Sequence, residues 1–205
     1  YNQIMYEKFG QFIDGKWSPS ENKETYEVIN PATEEVLGHA SKATSGDVDR
    51  ALKSSEKGLK VWKKITPWER SYILRRIADK LREKKDVLAK WMTLENGKPL
   101  AEGIGETNGA ADIFEWNAEE TKRIFGQTIE SRFEDTRVHV YYQPVGVVAA
   151  LSPWNFPLIL AARKISTALA AGCSVIIKPD TITPGVVMEL VDICRECGVP
   201  PGAVN

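Results

Sequence analysis

The chain has 205 residues and a mass of 22.9 kDa, enough for one or two domains. Its 42% apolar and 27% charged residues exclude a disordered or collagen-like polymer. With 27 basic and 28 acidic residues the formal charge is −1, so no global positive field exists to hold a nucleic acid. Three cysteines, Cys173, Cys194 and Cys197, cannot make a fully paired disulfide framework, and the odd count points to a reducing, cytoplasmic compartment.

The amino-terminal stretch through Phe12 lacks the basic-then-apolar layout of a secretory signal, and Tyr1 with Met5 nearby fits a trimmed or tagged start. The first segment reads as β-rich. Phe12-Ile13-Asp14-Gly15-Lys16-Trp17 sets Asp-Gly between apolar residues, which predicts a type I′ hairpin, and Asn30-Pro31 marks a turn. Thr66-Pro67-Trp68-Glu69 is a capping box with proline at the first helical position, so a helix starts there, with Ile73, Leu74, Ile77 and Leu81 on its apolar face. Val87, Leu88, Trp91, Met92 and Glu95 keep the same period up to Asn96-Gly97, and a further helix is expected from about Pro99 to Arg123.

Residues 124–143 alternate at Arg137-Val138-His139-Val140-Tyr141, the pattern of a half-exposed hairpin that serves as an assembly arm. Val145 to Leu151 is a continuous apolar strand, Pro157 to Ala171 a helix, and Ser174 to Lys178 a second strand. Thr183-Pro184 is expected to cap a last helix that ends before Gly198. Strand, helix, strand, helix with fully apolar strands predicts an α/β arrangement with a parallel sheet covered on both faces. The 23 uncharged residues from Val140 to Ala162 are long enough for a membrane span, but Pro144, Pro153 and Pro157 would break its helix.

Gly103-Ile104-Gly105 with Gly109 lacks the preceding strand of a dinucleotide loop and reads as close helix packing. His39 and His139 stand 100 residues apart with no ligand cluster, so no metal site is expected, and His139 reads as a strand-face residue. Cys173 precedes a buried strand as a small hydrophobe. Cys194 and Cys197 lie at the wrong end of their helix for thiolate stabilisation. Ser152-Pro153-Trp154-Asn155-Phe156-Pro157 stands out, because it follows an apolar strand at the carboxyl edge of a parallel sheet, where open α/β sheets bind ligands. There the Asn155 amide could face a reacting oxygen; the alternative is a proline-rich corner with Asn155 capping the next helix. Ile177-Lys178-Pro179-Asp180-Thr181 ends the second strand at the equivalent edge and offers a cation to ribose or phosphate.

Together these segments resemble the aldehyde dehydrogenase superfamily, amino-terminal portion only, closest in look to succinate-semialdehyde dehydrogenases. The resemblance rests on Phe12–Trp17, Asn30-Pro31-Ala32-Thr33, Glu95-Asn96-Gly97-Lys98-Pro99, Pro153–Pro157, Ala168–Cys173, Lys178-Pro179, Thr183-Pro184 and Gly198–Gly202, in family order and spacing. It implies an incomplete Rossmann-like parallel sheet with a helical layer and a protruding β-hairpin. Residues 1–123 would begin the cofactor-binding domain, 124–143 form an oligomerisation hairpin, and 144–205 supply the first βαβα part of the NAD(P)-binding sheet, without the catalytic domain.

The resemblance implies further that Asn155 contributes to the oxyanion hole. Leu151, Ser152, Trp154 and Asn155 would line the nicotinamide end of the cleft, with Lys178, Pro179, Asp180 and Thr181 at the ribose. Thr181 stands where a glutamate would repel a 2′-phosphate, so NAD or NADP is expected with a lean to NADP, against which Asp180 returns a negative charge. Arg163 matches an arginine that grips a substrate carboxylate, pointing to a small semialdehyde such as succinate semialdehyde, with lactaldehyde as the alternative. None of the three cysteines aligns with the family's nucleophile, so this chain alone is expected to be inactive. The expected partners are a small aldehyde and copies of the chain, in a homodimer or homotetramer through 124–143; no nucleic acid and no membrane are expected. The competing reading is a non-catalytic nucleotide-binding or assembly module.

Overall fold

A computed structural model describes Tyr6 and residues 8–205, so the sequence reading of residues 1–5 lies outside the described residues. The first hairpin joins β1 (Gln11–Ile13) to β2 (Lys16–Ser18) through Asp14 and Gly15, both at positive φ (54° and 78°) as a type I′ turn requires. A second hairpin pairs β3 (Thr25–Ile29) with β4 (Val36–Ser41) around the Asn30-Pro31 turn, where Asn30 Oδ1 accepts the Ala32 N–H at 2.9 Å.

Four helices follow: α1 (Ser45–Trp62), α2 (Pro67–Glu83), α3 (Lys85–Asn96) and α4 (Leu100–Glu120), the last continued by a 3₁₀ turn at Thr121–Arg123. Both halves of the Thr66–Glu69 capping box form, and Leu74, Ile77 and Leu81 are buried as the period predicts. Helix α3 stops at Gly97, which takes the left-handed conformation (φ 75°) that closes a helix with least strain in glycine.

Helix α1 is an addition to the sequence reading. It carries a Thr44–Asp47 capping box, but its buried face is Asp47, Ala51, Ser54, Ser55, Gly58 and Trp62 while Val48, Leu52 and Val61 are exposed. That face is at helical spacing yet, apart from Trp62 at its end, made of small and polar residues, so apolar periodicity does not reveal it.

Strands β5 (Gln127–Glu130) and β6 (Arg137–Val140) form an antiparallel hairpin exposed along nearly its whole length, with His139 Nδ1 3.1 Å from Thr128 Oγ1 on one face. Strands β7 (Val147–Leu151) and β8 (Ser174–Lys178) pair in parallel, joined by α5 (Pro157–Ala170). Residues 203–205 extend this sheet beyond β8, with Val175 N–H donating to the Ala203 carbonyl at 2.9 Å and Asn205 N–H to the Val175 carbonyl at 3.0 Å. Helices α1 and α5 both pack against the β7–β8 pair.

Gly58 lets α1 reach the Gly202–Ala203 backbone, and Ser174 Oγ donates to the Ser55 carbonyl at 2.9 Å. The last helix, α6 (Gly185–Glu196), packs on α3 and α5. Elements on both sides of the hairpin contribute to one core, with Trp62, Trp91, Phe114, Leu158, Leu169 and Leu190 fully buried in it. No helix among the described residues is long and apolar enough to cross a membrane.

Candidate active-site edge

The two segments singled out in the sequence leave adjacent strands at the same edge. Leu151 and Lys178 are register partners, and Ser152 N–H donates to the Lys178 carbonyl at 3.1 Å, so residues 152–156 and 178–182 diverge from the carboxyl end of one parallel pair. Ser152 is buried, its hydroxyl donating to the Pro157 carbonyl at 3.3 Å, whereas Leu151, Trp154, Asn155 and Phe156 are exposed. Lys178 is exposed and its ammonium rests on the Pro179 carbonyl at 3.1 Å. Pro179 and Asp180 are half-buried, and Asp180 Oδ1 accepts the Ile182 N–H at 3.2 Å, turning that carboxylate onto its own loop. Thr181 is exposed beside it. Arg163 lies two turns into α5 on the exposed side it shares with Thr167, next to half-buried Leu160, and no carboxylate pairs with it among the described residues.

The loop backbone is held from behind by residues to which sequence reasoning gave no role. Asn96 Nδ2 donates to the Trp154 carbonyl at 2.8 Å and Lys98 Nζ to the Asn155 carbonyl at 3.0 Å. Lys98 is itself buried, ion-paired with Glu106 and set 4.1 Å from the Phe156 ring centroid. The other oxygen of Glu106 accepts the N–H groups of Leu158 and Ile159 at 3.0 and 3.1 Å, two of the first-turn donors of α5. Glu95 does the same for α6, accepting Gly185 N–H at 2.7 Å and Val186 N–H at 3.4 Å, with the Tyr6 hydroxyl donating to it. Burial pushes the Glu95 carboxyl up to about 7 against those hydrogen bonds, all of which favour its ionised form. Burial likewise raises the Tyr6 hydroxyl, with Glu95 adding to the shift, so Tyr6 stays a donor. One sequence signal did exist: Glu95 falls on the apolar face of its helix, where a carboxylate requires buried partners.

One alternative and one expectation are corrected here. Asn155 does not cap α5: the N-cap position is Phe156, without a side-chain cap bond, and Glu106 supplies the acceptors. Its amide hydrogen-bonds no side chain among the described residues, which leaves it open at the edge. Thr183 does not cap α6 either. Its buried hydroxyl has no partner among the described residues, because Glu95 occupies the capping position from α3.

The readings of Gly103 as close packing and of the cysteines as buried stand. Gly103 is a close approach, where a Cβ would meet Ala89 Cα at 3.0 Å, and it sits mid-helix with no strand before it. Cys173, Cys194 and Cys197 are buried free thiols, and burial pushes those of Cys194 and Cys197 up, away from thiolate reactivity. The described residues contain no cluster of metal-ligating side chains.

An edge with an exposed amide, a nearby cation and exposed apolar side chains can take an elongated ligand with anionic and aromatic parts. Comparison with known proteins places it in context. The chain is 44% identical over 194 residues to a glutarate-semialdehyde dehydrogenase of Pseudomonas putida, covering 95% of this chain and 40% of that enzyme. It is 42% identical over 193 residues to the NADP(+) succinate-semialdehyde dehydrogenase of Escherichia coli, covering 94% and 40%. Among solved structures, an NADP-dependent enzyme of E. coli superposes with a TM-score of 0.94 at 42% identity, covering 97% of this chain and 42% of the other. Betaine aldehyde dehydrogenase of Staphylococcus aureus superposes at 0.95 with 35% identity, covering 98% and 41%. The chain thus spans about 40% of the length of the curated relatives it matches. The aldehyde dehydrogenase family model matches residues 17–205, from the first hairpin through residues 203–205 beside β8, and the chain belongs to that family.

Proposed function

We propose that this chain is the amino-terminal part of an enzyme that oxidises a small carboxylated semialdehyde, of the succinate or glutarate class, to the acid with NAD or NADP. The observation that carries the reading is the disposition of Asn155: its carbonyl is anchored by a buried lysine while its amide stays open at the carboxyl edge of the sheet. An amide fixed in this way donates to an oxygen that gains negative charge, a contribution of about 3 kcal/mol in enzymes that use it. The three cysteines of the chain are buried, so the thiolate that attacks the aldehyde carbon comes from the remainder of the enzyme.

The donor set at the edge fits a nicotinamide dinucleotide. Lys178 presents an exposed ammonium for the ribose end, with Pro179, Asp180 and Thr181 forming the turn beside it. Leu151, Trp154 and Asn155 offer apolar and amide surface for the nicotinamide end. When bound, this cofactor accepts the hydride of the aldehyde. No acidic side chain stands at position 181, and the Asp180 carboxylate is engaged with its own loop, which favours NADP. Arg163, exposed and without an acidic partner among the described residues, is the group offered to a substrate carboxylate. The exposed 124–143 hairpin is the proposed contact between copies.

The test is the complete enzyme assayed for NAD(P)H formation with succinate and glutarate semialdehydes, before and after Asn155→Ala. The variant is expected to lose about 10²-fold or more in kcat while cofactor affinity stays within about twofold. Unchanged kcat would remove Asn155 from the chemistry, and no reduced cofactor with any aldehyde would end the enzymatic reading.

A further inference from the structure

Asn155 is exposed and lies between two prolines, and the side chains that hold its backbone come from one short segment, residues 96–98. Lys98 meets the 154–159 segment in three ways. Its ammonium bonds the Asn155 carbonyl at 3.0 Å, lies against the Phe156 ring, and pairs with the carboxylate that receives the Leu158 and Ile159 N–H groups. Asn96 adds a bond of 2.8 Å to the preceding carbonyl, that of Trp154. The peptide plane that follows Asn155 and the first turn of α5 are therefore tied to a single buried ion pair, and the plane that precedes Asn155 is tied to Asn96.

We infer that Lys98 and Asn96 are positioning residues for the reaction: they fix the backbone of residues 154–155 so that the Asn155 amide is aimed before substrate arrives. The inference rests on the reading of Asn155 as oxyanion donor. The physical reason is that a hydrogen bond stabilises a developing charge only when its donor needs no reorganisation during the step. An exposed loop without such ties would spend part of its time with the amide turned away, and each such excursion subtracts from kcat without changing how substrate or cofactor is bound. Lys98 and Glu106 suit the task because a buried, mutually satisfied pair has one arrangement, whereas an exposed pair has many.

The experiment compares kinetics of the complete enzyme carrying Asn96→Ala, the neutral pair Lys98→Met with Glu106→Gln, and Asn155→Ala, and then each of the first two combined with Asn155→Ala. Glutamine at 106 retains an acceptor for the α5 N–H groups, which protects the fold, and Asn96→Ala removes only one bond on an exposed loop. We expect the neutral pair to lower kcat about tenfold and Asn96→Ala about threefold, with KM and cofactor affinity within about twofold, as for an interaction made only in the transition state. Neither is expected to lower kcat further when Asn155 is already alanine, because a residue acting through Asn155 has nothing left to position.

Losses that multiply with Asn155→Ala, or an unchanged kcat in both positioning variants, would overturn the inference while leaving the role of Asn155 intact. An unchanged kcat in Asn155→Ala would overturn both. If circular dichroism shows the neutral pair unfolded, the Asn96→Ala comparison decides alone.

Discussion

Replacing Glu95 by glutamine tests whether a buried carboxylate governs the stability of this chain near neutral pH. Glu95 is 2% exposed, receives three hydrogen bonds and has no cationic partner among them. Tyr6 faces it directly, and Tyr26, whose hydroxyl is raised to about 12 mainly by burial, also feels its charge. Because the folded-state carboxyl sits at about 7 against an ordinary 4.5, folding favours the protonated form. Its stabilising contribution is complete below pH 4.5 and is lost as the pH rises through 7.

A displacement of that size corresponds to about 3 kcal/mol lost between pH 4 and 8. Glutamine is neutral throughout and keeps one acceptor for Gly185, so the variant lacks this pH dependence. Urea unfolding at pH 4, 6 and 8 reads the difference. The natural protein is expected to fall relative to Glu95→Gln by about 1 M in midpoint across that range, taking an m-value of about 2–3 kcal/mol/M. Parallel profiles would show the folded-state carboxyl unshifted from its ordinary 4.5, with the helix terminus and Tyr6 offsetting burial. A rise of the natural protein relative to the variant would refute the reasoning outright.

Two further stability predictions separate positions that look alike in the sequence. Gly58→Ala pushes a methyl into the Gly202–Ala203 backbone and is expected to destabilise by about 1–3 kcal/mol, whereas Gly105→Ala, with nothing within 4 Å, should stabilise its helix by about 0.5–1 kcal/mol; thermal unfolding of both checks the signs. Thr183→Val removes a buried hydroxyl without a partner at nearly constant volume and is expected to stabilise by about 1 kcal/mol in the same measurement; a loss of that size would mean the hydroxyl is bonded in solution.

Much of the architecture was legible because local signals determine it. The Asp14-Gly15 turn, the Thr66–Glu69 capping box and the Gly97 stop each depend on a few adjacent residues whose backbone preferences need no distant partner. The β7–α5–β8 order likewise follows from apolar runs of strand length around a helical period, and it places Ser152–Phe156 and Lys178–Ile182 at one edge. Helix α1 escaped because its inward face is small and polar, chosen for approach to a backbone rather than for hydrophobicity.

The capping of α5 and α6 was decided by tertiary structure alone. Nearby Asn155 and Thr183 have the chemistry to cap, but Glu106 and Glu95 arrive from other helices and take the N–H groups, leaving the Asn155 amide open and the Thr183 hydroxyl without a partner among the described residues. The sequence by itself determined which residues lie at the edge, since strand length and turn chemistry are local. Which of them are held and which are left open depends on side chains 50 to 90 positions away, and only the fold brings their charges within hydrogen-bonding distance.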